Sequence, residues 1–207
     1  MSKVTAHDVA KYIIAEFHEA EDLITNMKVQ KLLYYVQGWH LGLYGAPVFD
    51  EQFQAWVHGP VQYEVYNKYK NYHWNPILEP IEKPDFDSSL IKHINEVLQA
   101  YGGETGYKLE LLTHQEWPWI EARNDLDPNT PSQNIISTKT MGEFFAEKAK
   151  KNERTGNYIP NYETIKALEE SKRDIGVYTV NSWKEMFDEV YDELKSEGFE
   201  IPNYDRA

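Results

Sequence analysis

The chain contains no cysteine, which excludes a disulfide framework, a thiolate zinc site and a cysteine nucleophile. No apolar run approaches the ~20 residues that a membrane-spanning helix requires. The opening residues Met1 to Asp8 run into a charged helical pattern and lack the apolar core of a signal peptide, so the expectation is a cytoplasmic protein. There is no glycine-rich phosphate loop and no Gly-x-Ser-x-Gly elbow. Basic residues are scarce: 21 Lys and Arg face 34 Asp and Glu, a formal net charge of −13. A field of that sign repels phosphate backbones, so nucleic acid is a poor partner and a basic protein a suitable one. Solubility alone can also account for such a charge. No internal repeat and no low-complexity segment is present.

What the chain does have is 207 residues, 41% of them hydrophobic and 14% aromatic, including 15 tyrosines. That is enough for one ordinary domain with an appendage, or for two small domains. Thr5 with Asp8 marks a helix start, and Val9, Ala10, Ile13 and Phe17 its apolar face. Val29, Leu32, Leu33, Val36, His40 and Leu43 follow helical spacing, with Gly45 at the C-terminal cap; Tyr34, Tyr35 and Trp39 make this helix apolar on further sides, as a central buried helix is. Val48 to Val57 reads as a short extended segment or hairpin, and Gly59-Pro60 as the opening of a helix with proline at its first position. Pro76, Pro80 and Pro84 mark a loop. Asp87-Ser88-Ser89 caps a helix lined by Leu90, Ile94, Val97 and Tyr101. Leu109 to Thr113 is a short helix, and Thr113 with Glu116 has the spacing of a capping box for another, running to Arg123. Met141, Phe144 and Phe145 belong to a last helix of this body, begun near Ser137 or Thr138.

From Lys150 to Asn157 the chain reads as a solvated linker. Asn161 then caps a helix to Arg173, Gly176 to Val180 is one short strand, and Ser182 with Glu185 opens a final amphipathic helix. Residues 149–207 hold 9 basic and 13 acidic residues, a net of −4, and leave −9 on residues 1–148. The expected architecture is mainly α (α+β): a compact helical domain with a small β element over 1–148, then a helix–strand–helix extension over 149–207. A helix, one strand and a helix cannot close a core alone, so the extension docks on the body or on another protein.

His40, His58 and His114 fall in two aromatic-rich blocks. Three histidines can form a zinc site, but no pair has tight spacing and no carboxylate is placed to complete a set. Core histidines held by hydrogen bonds are the favoured reading. No catalytic, metal-binding or cofactor-binding residue is assigned, and no enzyme is expected. Arg123 either faces a partner through an aromatic or carboxylate-rich pocket or pairs with a core acid such as Asp50 or Glu51; the second is favoured.

Three ordered blocks carry a resemblance. They are Lys28-x-Gln30-Lys31-Leu32-Leu33-Tyr34-Tyr35-x-Gln37-Gly38-Trp39-His40-Leu41, then Pro47-x-Phe49-Asp50-Glu51-x-Phe53-x-Ala55-Trp56-x-x-Gly59-Pro60-Val61, then Leu112-Thr113-His114-x-Glu116-x-Pro118-Trp119-x-x-Ala122-Arg123. Over residues 4–148 the chain resembles the Panacea domain (SocA-like antitoxin) family, with Lys31, Trp39, His40, Asp50, Trp56, Gly59, Pro60, Thr113, His114, Pro118, Trp119 and Arg123 as motif positions. The resemblance implies a bacterial or phage antitoxin that neutralises a co-encoded toxin by direct binding. Its runner-up is an adaptor that delivers the toxin to a AAA+ protease, and the weakest alternative is a histidine-dependent metal enzyme. Within the extension, Ile159 to Glu170 and Val177 to Asp188 are similar to the toxin-wrapping region of RelB/DinJ-type antitoxins, which implies a basic RNase of the RelE superfamily as partner. The ribbon-helix-helix segment that usually precedes such a region is absent here. In that reading Ile165, Leu168, Val177, Tyr178, Val180, Trp183, Met186, Phe187 and Val190 supply apolar contact, and Glu169, Glu170, Asp188 and Glu189 meet the toxin's basic face.

Overall fold

Thr5 opens the first helix with the reciprocal bonding that its spacing to Asp8 suggests. The Thr5 hydroxyl accepts from the Asp8 N–H and the Asp8 carboxylate accepts from the Thr5 N–H. This is α1, Ala6–Glu19. The computed structural model describes residues 3–155, and everything predicted for the toxin-wrapping segment lies outside the described residues. The second helix, α2, spans Asn26–Tyr44 and ends at Gly45, whose φ of 67° is the left-handed turn that glycine makes without a Cβ clash. Val29, Leu32, Leu33, Tyr34, Tyr35, Val36 and Trp39 of α2 are all buried, so the helix is the centre of the core, as its all-round apolarity predicts. Burying each such side chain contributes roughly 1.5–3 kcal/mol.

Two strands follow, β1 (Phe53–Trp56) and β2 (Gly59–Gln62), antiparallel, with Ala55 opposite Pro60 and Trp56 opposite Gly59. The Gly59-Pro60 corner is therefore strand, and the helix expected there, α3, runs Tyr63–Tyr69. Pro60 fits in β2 because Ala55 turns its N–H away from it, to Asn134 O at 2.8 Å; that pair exchanges no bonds, so the missing proline N–H leaves no gap. The outer edge of β1 is closed by the 134–136 segment, since the Ile136 N–H also bonds Phe53 O. Buried amides fasten α2 to this region. Gln30 Oε1 accepts from the Gln62 N–H at 2.8 Å, and Gln37 Nε2 donates to Phe49 O at 2.7 Å.

Beyond the proline loop come α4 (Ser88–Tyr101), capped by Asp87, then α5 (Gly106–His114), α6 (Trp117–Arg123) and α7 (Thr138–Thr155). Thr113 does not cap α6. It lies inside α5, its hydroxyl donating to Glu110 O at 2.8 Å, and the cap position is Glu116, whose side chain bonds elsewhere. Proline at a helix start is realised here instead, at Pro118. The 150–155 part of the expected linker continues α7 as helix. The body is thus mainly helical with one small antiparallel sheet, as expected. No helix among the described residues is long and apolar enough to cross a membrane.

Helix α7 lies along α2, and small residues allow the approach. Phe145 sits over Gly38, with its ring 5.3 Å from Trp39 and 5.7 Å from Tyr34. Gly42 faces the backbone of Phe145 and Ala146.

Candidate functional site

The motif residues converge on a buried carboxylate. Glu110, on α5, is almost fully enclosed. His58, in the turn between β1 and β2, donates from Nδ1 to Glu110 Oε1 at 2.9 Å. That hydrogen bond is the main reason the His58 pKa is raised above 6.5 despite partial burial. Lys31, 1% exposed, comes up from α2 and donates to Pro60 O at 3.3 Å; burial lowers its ammonium to about 8, with Glu110 opposing the shift. Gly59 is required between them. Its φ is 92°, and an added Cβ would lie 2.8 Å from Thr113 Oγ1 and 2.9 Å from Lys31 Cε.

His114 faces the same carboxylate at 3.9 Å, too far for a hydrogen bond, and its Nε2 has no partner. Burial drives its pKa down to about 4, with Lys31, His58 and Arg123 adding repulsion and Glu110 opposing. The ring is therefore neutral at pH 7, and it stacks on Trp119 with centroids 4.1 Å apart. Trp119 Nε1 donates to Trp56 O at 3.0 Å, and the Arg123 guanidinium lies 5.0 Å over the Trp119 ring.

Arg123 corrects the favoured sequence reading. It pairs with neither Asp50 nor Glu51. Its fork is spent on four carbonyls: Ala55 at 3.3 Å, Asp127 at 2.7 Å, Pro128 at 3.1 Å and Thr130 at 2.8 Å. Asp50 instead pairs with Lys3 at the surface, and Glu51 accepts from the Ala6 N–H at the start of α1. A loop whose carbonyls converge on one side chain needs a planar multiple donor, which arginine supplies and lysine does not.

A second buried charge lies at the junction of α2, α6 and α7. Glu116 Oε1 accepts from Lys148 Nζ at 3.0 Å. Burial raises the Glu116 carboxyl, and Lys148 opposes that. Burial would lower Lys148, but Tyr101 and Glu116 outweigh it and the net direction is up. The ammonium lies 5.4–5.9 Å from the rings of Phe144, Phe145, Tyr35 and Trp39. The Tyr34 and Tyr35 hydroxyls are buried beside it and face the Glu116 carboxylate. Burial, then Glu116, holds both phenols well above 10.

The structure thus unites Lys31, His58, Gly59, Pro60, Thr113, His114, Trp119 and Arg123 around Glu110. His40 stands apart, its Nδ1 2.6 Å from Ala46 O and its ring beside Tyr44 and His93. Trp39 belongs with the Lys148 pair and donates to the Tyr101 hydroxyl at 3.1 Å. Sequence reasoning passed over Glu110, although its spacing of four from His114 on a helix places both on one face. It also passed over Lys148 and the buried His93, which bonds Val36 O. Among the described residues no group of three or more His, Asp or Glu is arranged to hold a metal ion. The arrangement is chemically an ion-paired, hydrogen-bonded core whose solvent-facing member, His58, sits against the exposed Trp74.

Residues 29–120 match the family described as Antitoxin SocA-like, Panacea domain. The matched stretch spans the Glu110 centre from Lys31 to Trp119. The chain is similar to Antitoxin SocA of Caulobacter vibrioides (strain NA1000 / CB15N): the two are 28% identical over 145 residues, which cover 64% of this chain and 74% of that protein. No solved structure matches the chain.

Proposed function

We propose that this chain is the antitoxin of a type II toxin–antitoxin pair and that it neutralises a small basic co-encoded toxin by direct protein–protein binding, without catalysis of its own. The observation that carries this reading is the SocA-like Panacea domain over residues 29–120. The net charge of −13 supports a basic partner, since complementary fields speed encounter and suppress competing partners. We assign the toxin-wrapping role to residues 149–207, on the similarity of that segment to RelB/DinJ-type antitoxins, which points to a toxin of the RelE superfamily. Apolar burial by residues such as Trp183 and Phe187 would set the residence time, and acids such as Glu169 and Asp188 would meet the toxin's RNA-binding surface.

Co-expression with the product of the adjacent reading frame tests the reading. Growth should be restored by the full chain with toxin levels unchanged, and the two proteins should co-purify. Restoration only through loss of toxin, and only where an AAA+ protease is present, would assign the adaptor role instead. Failure to restore growth would refute the antitoxin reading.

A further inference from the structure

Helix α6 has two faces with opposite fates. Trp119 and Arg123 turn into the core, while Trp117 and Ile120, three residues apart on the other face, are 36% and 49% exposed. The chain after α6 extends this apolar surface. Asn134 Nδ2 donates to Ala122 O at 2.9 Å, which brings Ile135, 46% exposed, beside the end of the helix, and Leu126 is exposed in the intervening loop. The Trp117 ring also meets Phe144 of α7 edge-on at 6.0 Å. Exposed acids surround the patch: Glu121, Asp125 and Asp127 on its own segment, and Glu143 and Glu147 on α7. Three of the nearby cations are engaged, while Lys150 and Lys151 lie exposed one turn beyond Glu147 on α7. Arg123 is buried on four carbonyls, Lys148 is held by Glu116, and Lys139 lies 3.7 Å from Glu143.

We infer that this acid-rimmed apolar face of α6 and the following loop is a docking surface for a basic protein, and that the protein is the toxin itself. The inference rests on the antitoxin reading above. An aromatic and a β-branched residue inside a charged rim have the composition of an interface centre. Charge selects the occupant. Residues 156–207 of this chain hold 12 acidic against 6 basic residues, and a second copy of this face is acidic too, so the rim repels both. A basic surface meets no such opposition. The body would then hold the toxin at one point and the C-terminal segment at another, a two-point grip whose strength exceeds either contact alone.

The test titrates the purified product of the adjacent reading frame into the full chain and its variants, with thermal unfolding as a check on folding. Ile120→Arg should weaken the complex about tenfold or more, as central interface residues do. Glu121→Lys with Asp125→Lys should slow association and flatten its salt dependence. Leu78→Asp, at an exposed leucine on the proline loop, should change nothing. A complex that forms with the unmodified chain and is indifferent to Ile120→Arg overturns the inference and leaves the antitoxin reading standing. Absence of any complex with the unmodified chain overturns that reading and the inference with it. If Trp117 is protected from hydroxyl radicals in the free chain, and truncation after Thr155 or dilution to monomer relieves the protection, the occupant is the chain's own segment or a second copy, and the toxin assignment is wrong.

Discussion

Phe145 occupies the space that a side chain at Gly38 would need: an added Cβ would stand 2.2 Å from Phe145 Cε2. The separation of α2 and α7 is set by that pair. Phe145 is fully buried among Tyr34, Tyr35, Trp39 and Phe144, so the ring has no free direction in which to retreat. Gly38→Ala should be net destabilising by about 1–3 kcal/mol, although alanine is intrinsically better in a helix by roughly 1 kcal/mol. Urea denaturation measures this; an unchanged or raised midpoint would contradict the packing.

Arg123 holds the 127–130 loop by its carbonyls. Arg123→Met should cost about 2–4 kcal/mol, because several hydrogen bonds are lost and the Ala55 carbonyl loses its Arg123 donor. Arg123→Lys should recover only part, since an ammonium cannot reproduce the planar fork. Limited proteolysis between residues 124 and 134 should accelerate in both variants. If cleavage is unaltered in either, the loop is held by something else.

Local signals were the legible part of this fold. Thr5 with Asp8, Asp87 and Gly45 each satisfy their own backbone neighbours, so a few residues of sequence decide the outcome. The all-round apolarity of Leu32 to Trp39 likewise announced a central helix. The errors came where long-range partners decide. Pro60 resembled a helix start, yet Ala55 and Asn134, distant in sequence, make its place in a strand cost nothing. Thr113 and Glu116 had capping-box spacing, but Lys148, 32 residues on, claims the Glu116 carboxylate. The motif positions were found as a set, while their centre, Glu110, was not: a lone glutamate on a short helix gives no sign that His58 will fold over it.

His114 makes stability depend on pH in a direction that can be checked. Its pKa falls from 6.5 to about 4 on burial, facing Glu110 and the cationic groups of Lys31, His58 and Arg123. The unfolded chain therefore binds a proton more readily than the folded one. The contribution of the neutral ring is complete above about pH 6.5 and is lost as pH falls toward about 4, to a total of about 3 kcal/mol. His58 works in the opposite sense. Its raised pKa gives stability below about pH 6.5 that fades as pH rises through the folded value. His114→Phe keeps a ring on Trp119 and should remove much of the loss between about pH 6.5 and 4. An identical pH profile in the variant would show that His114 is not the titrating group.

Glu116 and Lys148 should behave as a coupled pair. Glu116→Gln and Lys148→Met each leave a partner short of its counter-charge in a largely buried setting. The double variant should be more stable than the sum of the single losses predicts, by about 1–3 kcal/mol. A double-mutant cycle by thermal unfolding gives that difference directly. Strict additivity would mean that the 3.0 Å contact contributes nothing.

The most direct trial is calorimetric titration of the adjacent-frame product into the full chain and into a chain ending at Thr155, which keeps every described residue of α7 and the Lys148 contact. A saturable complex is expected with the full chain, and binding weaker by about a hundredfold or more with the shortened one, as a two-point grip reduced to one requires. Equal affinity for both, or no binding to either, would contradict it.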